Sequence, residues 1–176
     1  MTLRIGLIAA ALLAASTTLA AQARNIDVRL RGYDHLVRLD TLAVWTVIPA
    51  TPAKAYVAAQ FVFDALQMPL TTADSVGGLL YQSGLNTRSK ILGKRMSWAV
   101  KCGDGITGDN ADTWRIHMAY AVFLEPAPDN QTRMGMTLAA GANNVEGAYK
   151  PAVGCGSTGA FEAEIAMLVK AQAQLK

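Results

Sequence analysis

Two cysteines, two histidines and a few polar clusters are what the sequence offers for chemistry. Cys155 stands in Gly154-Cys155-Gly156-Ser157-Thr158-Gly159, just ahead of a segment that reads as the last helix. Glycine-rich backbone at a helix start can hold an anion through free N–H groups, and the same place activates a thiol as a nucleophile. The segment has neither the lysine nor the spacing of a phosphate loop. Cys102 gives Cys155 a partner, so the plainer expectation is a disulfide-bearing turn, with Ser157 or Thr158 capping the helix. A bridge between them would close a loop of about fifty residues and stabilise the fold by at most roughly 4 kcal/mol.

Asp104, Asp109, Asn110 and Asp112 gather oxygen donors of the kind a hard cation takes, yet their spacing is not that of an EF-hand and no bidentate glutamate follows. Asp and Asn also make turns, and a solvated hairpin loop is the simpler expectation. His35 and His117 have no cysteine or acidic neighbours at metal-ligand spacing, so they are expected on the surface or on a sheet face. No catalytic residue, metal site or cofactor is expected from these patterns.

Two sets of residues point instead to binding. Arg88, Lys90, Lys94 and Arg95 form the densest basic run, on an expected strand pair with Leu85, Ile91, Leu92 and Met96 between them. Such a run suits anionic lipid headgroups or an acidic protein partner, and equally a solvated outer face. Met134 and Met136, with Phe161 and Ile165 of the last helix, could line an apolar groove between sheet and helix, since methionine adapts to varied ligands. The small residues Gly135, Ala139, Ala140 and Gly141 would equally let a helix pack close.

The elements that must carry these residues can be read in order. Arg4, the apolar run Ile5 to Ala15, and Ala21-Gln22-Ala23 read as a cleavable secretory signal over residues 1–23. The apolar run is about half of the ~20 residues a helix needs to cross a bilayer, and no later segment is longer. Export to a periplasmic or secreted location is expected, where two cysteines most simply pair. Residues 24–41 form an arm with one short strand, and residues 42–176 form one α+β domain. Over the 176 residues, 16 basic and 13 acidic side chains give a net charge of +3. That excess is too small for a protein built to neutralise a nucleic-acid backbone.

Leu42 to Ile48 reads as a strand stopped by Pro49, and Thr51-Pro52 as a helix start leading to about Gln67. Glycine-punctuated extended runs follow. In the clearest, Trp114, Ile116, Met118, Tyr120, Val122 and Leu124 point one way and Arg115, His117, Ala119, Ala121 and Phe123 the other. Pro126 to Asn130 turns the chain into a strand from Gln131 to Ala140. The last helix carries Glu162 and Glu164 early and Lys170 late, as its dipole prefers, with Phe161, Ile165, Leu168, Val169 and Gln172 inward.

This order, a strand, a long helix, four or five antiparallel strands and a final long helix, is that of the helix-grip architecture. By element order over residues 42 to 174 the chain resembles the repeated domains of the outer-membrane assembly lipoprotein BamC, and less closely the lipid-transfer START domains. It departs from BamC in lacking a lipidation cysteine and a second domain. The expectation is an exported, non-enzymatic module that contacts a protein partner at the cell envelope. The alternative is a binder of lipid or a small apolar molecule in the groove under the last helix.

Overall fold

The computed structural model describes residues 25–105, 108–144 and 151–175; the expected signal lies outside the described residues. The fold is mixed α+β, built on a seven-stranded antiparallel sheet. Its main elements are β1 (Val44–Ile48), α1 (Pro52–Ala65), β2 (Thr72–Asp74), β3 (Leu79–Arg88), β4 (Val100–Lys101), β5 (Arg115–Ala127), β6 (Gln131–Asn143), β7 (Val153–Ser157) and α2 (Ala160–Gln174). One-turn helices at Met96–Ala99 and Asn110–Thr113 flank β4.

The long hairpin of β5 and β6 forms the centre, in register from Arg115 opposite Asn143 to Ala127 opposite Gln131. Its turn uses positive φ at Asp129 and Asn130, residue types that tolerate the left-handed region. β3 pairs with the free side of β5, and β2 with β3. The free side of β6 takes two strands end to end: β1 pairs with residues 132–136, and β7 with residues 140–142. β4 then pairs with β7.

Side-chain alternation gives this sheet two different faces. Ile116, Met118, Tyr120, Val122 and Leu124 join Met134, Met136 and Leu138 in the main core beneath α1 and α2. α1 begins at Pro52, which suits the first helical position because its missing N–H has no partner there. Thr51 occupies the N-cap position without a side-chain capping bond. The helix buries Ala55, Ala59, Val62 and Phe63. Phe63 stacks on Tyr120 at 5.5 Å between ring centres, and Phe161 of α2 meets the other side of Tyr120 at 6.2 Å. The buried Tyr120 hydroxyl donates to the Pro69 carbonyl, which satisfies the one polar atom of that stack.

The N-terminal arm covers the opposite face. Asp27–Val28 pairs with Val37–Arg38 in a small hairpin, and Val28, Leu30, Val37 and Leu39 pack on Ala119, Ala121, Phe123 and Ala139. Glycines make this docking possible. A Cβ on Gly141 would stand 1.6 Å from the Arg31 carbonyl oxygen, and one on Gly154 would stand 2.8 Å from the Tyr33 ring. The small residues expected to admit a helix therefore divide: Ala140 faces the core, whereas Ala139 and Gly141 admit the arm. Gly135 lies on that outer face too, beneath Trp45, whose ring would be 2.9 Å from an added Cβ. Gly141→Ala should lift the arm and cost about 1–3 kcal/mol. Limited trypsin digestion checks this: faster cleavage at Arg29 or Arg31 is expected, and an unchanged rate would mean the arm tolerates the methyl group.

Candidate functional site

Cys102 and Cys155 form a disulfide across 53 residues, so no thiol remains at Cys155 for nucleophilic chemistry. The bridge joins β7 to the segment just after β4. Ser157 and Thr158 do not occupy the N-cap position of α2. Gly159 does, at φ +80°. The two hydroxyls act one step removed: Ser157 Oγ accepts the Gly159 N–H at 3.0 Å, and Thr158 Oγ1 accepts the Ala160 N–H at 3.3 Å.

Three residues of the expected oxygen-donor loop make structural bonds, although the Asn110 side-chain oxygen itself has no hydrogen-bond partner among the described residues. Asp112 accepts the backbone N–H and hydroxyl of Ser97 at 2.8 and 2.9 Å, Asp109 meets the Lys101 ammonium at 3.0 Å, and Asn110 donates to the Cys102 carbonyl at 3.2 Å. No group of three or more His, Cys, Asp or Glu side chains able to hold a metal occurs among the described residues.

The basic run is divided in a similar way. Lys90 and Arg95 stand in the two strands of a tight hairpin, and Arg88 ends β3. Lys94 pairs with Glu164 at 3.0 Å and lies 4.1 Å above the Trp98 ring centre. Lys90 and Arg95 share a shallow hollow with Asp109 and Asp112.

His117 lies on the outer face of β5, with Nε2 2.5 Å from Asn143 Oδ1. Burial lowers its pKa, the Asn143 contact opposes that shift, and Arg31 and Arg115 add to the lowering. The unfolded chain therefore takes up this proton first. The stabilising contribution is complete above about pH 6.5 and is lost as pH falls through the lower folded value. Replacing His117 with Gln should flatten that part of the stability profile, measured as urea midpoints between about pH 7.5 and pH 5. An unchanged slope would assign the pH dependence to other groups.

Met134, Met136, Phe161 and Ile165 do not line an open groove. They are 0–1 % exposed and fill the core between sheet and helices, because Tyr120 and Phe63 occupy the space a ligand would need.

An open cleft of about 760 Å³ lies elsewhere, at the gap on the β6 edge. β1 reaches only to Met136, and β7 begins its pairing at Ala140, so residues 137–139 have no strand on that side. Leu138 and Ala139 form part of the lining at this gap, with Leu36, Leu42 and Val44 as apolar neighbours. Tyr33, His35 and Arg38 from the arm stand opposite Cys155 to Gly159 and Glu162. Tyr33 donates its hydroxyl to the Cys155 carbonyl at 3.0 Å, which ties arm to β7; burial nevertheless raises the phenol pKa. Leu36, Leu42, Val44 and Val47 are about half exposed, and Trp45 somewhat less. Leu36, Leu42 and Val44 border the cleft, and the outer side of β1 carries no strand in the main sheet. A smaller hollow of about 250 Å³ is lined by Phe61 of α1, Leu66 just after it, and Leu168 and Leu175.

Periodicity could not have revealed this cleft, because it arises where two strands share one edge without meeting. The available signal was glycine at strand positions, which marks close backbone approach. The chain matches no protein-family model, and no curated protein sequence matches it. No helix among the described residues is long and apolar enough to cross a membrane.

Proposed function

We propose that this protein is an exported, non-enzymatic module of the cell envelope that holds a partner at the break in its sheet edge. The observation that supports this most is the cleft itself, bordered by exposed Leu36, Leu42 and Val44 and adjoining β1, whose outer side carries no strand in the main sheet. An open edge supplies backbone donors and acceptors to an added extended segment, and natural proteins usually cover or charge such edges. The helix-grip reading and the likeness to BamC domains belong with this proposal, supported by α2 packing on the same face of the sheet as α1. A lipid surface is a weaker partner, since Glu164 already pairs with Lys94, and Asp109 and Asp112 lie in the same hollow as Lys90 and Arg95. A small apolar ligand is the second reading, favoured by a cleft volume within the ~300–1,000 Å³ typical of ligand sites.

Gly156 provides the test. A Cβ there meets nothing within 4 Å, so Gly156→Trp should fill the cleft without disturbing the fold. Random heptapeptides displayed on phage are selected against the oxidised protein, and the enriched peptides are titrated into both forms. Binding at least ~10-fold weaker in the tryptophan variant, at unchanged melting temperature, is expected. Equal affinity for both forms would place the contact surface elsewhere.

A further inference from the structure

We infer that the occupant of this cleft is an extended peptide that presents a lysine or arginine side chain to Glu162. The inference rests on the contact reading above and adds the chemistry of the partner.

Glu162 lines the cleft and is only 3 % exposed. Its Oε1 accepts the Ser157 hydroxyl at 2.6 Å, whereas Oε2 has no hydrogen-bond partner among the described residues. A carboxylate oxygen removed from water without a donor is costly, and a cation bearing N–H groups is the partner that best relieves the cost.

The other charged groups at the cleft do not reverse this preference. Arg38 lies at 3.4 Å from Asp27 and its side chain is 49 % exposed, so water and that partner screen it. His35 is on the exposed arm, edge-on to Tyr33. Glu162 is the lining carboxylate, and its burial strengthens attraction to an opposite charge. Its Oε2 is closed off from water, so engagement requires the carboxyl group to turn toward the ligand while Ser157 keeps Oε1.

A peptide fits the remaining features better than a free amine. β1 borders the cleft and its outer side carries no strand in the main sheet, which suits an extended backbone. Leu36, Leu42 and Val44 suit the apolar stem of a long basic side chain.

The test uses the oxidised, full-length mature chain, isotope-labelled for amide NMR. Three probes are titrated: acetyl-Thr-Val-Lys-Val-Thr-amide, its norleucine twin, and n-butylamine. The lysine peptide should bind at least ~10-fold tighter than the twin, shifting the amides of Leu138, Ala139, Gly156 and Glu162. In Glu162→Gln, which can still accept the Ser157 hydroxyl, that preference should fall to about twofold or less. Comparison of the twins on the wild-type chain decides the matter even if this variant folds poorly. Equal binding of both peptides at the cleft would overturn the cation assignment and leave the contact reading standing. Butylamine shifting the same amides as strongly as the lysine peptide, with the twin silent, would make the cleft a small-amine site and overturn the peptide. Absence of cleft shifts with all three probes at millimolar concentration would overturn both readings.

Discussion

Removing the Cys102–Cys155 bridge is expected to cost up to about 4 kcal/mol of folding stability. A crosslink closing a loop across 53 residues chiefly restricts the unfolded chain, and the chain-entropy treatment gives roughly that figure at this length. A domain of this size typically has only about 5–15 kcal/mol in total, so the reduced protein should unfold at a markedly lower urea concentration. The local structure adds to the effect. β7 and β4 share only two paired positions, Gly156 opposite Lys101 and Ser157 opposite Val100, so the bridge supplements a short ladder. The Cys155 carbonyl also receives the Tyr33 hydroxyl, so loosening β7 should loosen the arm and the cleft together. Urea unfolding of the oxidised protein and of the Cys102→Ala/Cys155→Ala double variant measures this. A difference below about 1 kcal/mol would mean that packing alone holds β7 in place.

Phe161→Ala is expected to destabilise by about 3–5 kcal/mol and to leave ligand binding in the cleft secondary to that loss. Phe161 is fully buried against Tyr120, and Tyr120 is in turn stacked on Phe63. Deleting one ring leaves a cavity that neither α1 nor the sheet can close without breaking its own contacts, and the cavity term adds to the lost transfer energy. Thermal and urea unfolding measure the loss, and binding of a fluorescent apolar dye measures any new cavity. If the wild-type protein already binds such a dye at this place and the variant loses under about 1 kcal/mol, the region is a groove and the packed-core description fails.

The mispositioned groove shows where sequence reasoning reached its limit. Alternation correctly placed Met134 and Met136 on one face of their strand, and Phe161 and Ile165 on the inner side of the helix. Periodicity reports which face a residue occupies, not whether the opposite layer reaches it. Tyr120 and Phe63 reach that space, and their contact joins residues far apart in the chain. The arm was expected to hold one short strand and holds two, Asp27–Val28 and Val37–Arg38. Its docking on Gly141 and Gly154 was not legible, because the sequence shows two glycines but not the Arg31 backbone and Tyr33 ring that lie against them. Glu162 was read as a first-turn acid matched to the helix dipole, and it does stand in the first turn of α2. That its Oε2 lacks a donor while Oε1 accepts the Ser157 hydroxyl was not legible, because it depends on how distant segments pack around the helix start.

The sequence by itself determined the local elements: the β5–β6 alternation, the start of α1 at Pro52, the turn at Asp129 and Asn130, and a pair of cysteines with no competing partner. These follow from backbone preferences and side-chain periodicity within a few residues, so they survive without knowledge of the fold. Only the tertiary structure decided that β1 and β7 divide one edge of β6, that the arm walls the gap, and that Glu162 is buried in its lining without a donor for Oε2. Those outcomes depend on register and on packing between distant segments, which are set by the free energy of the whole chain and leave no periodic trace in it.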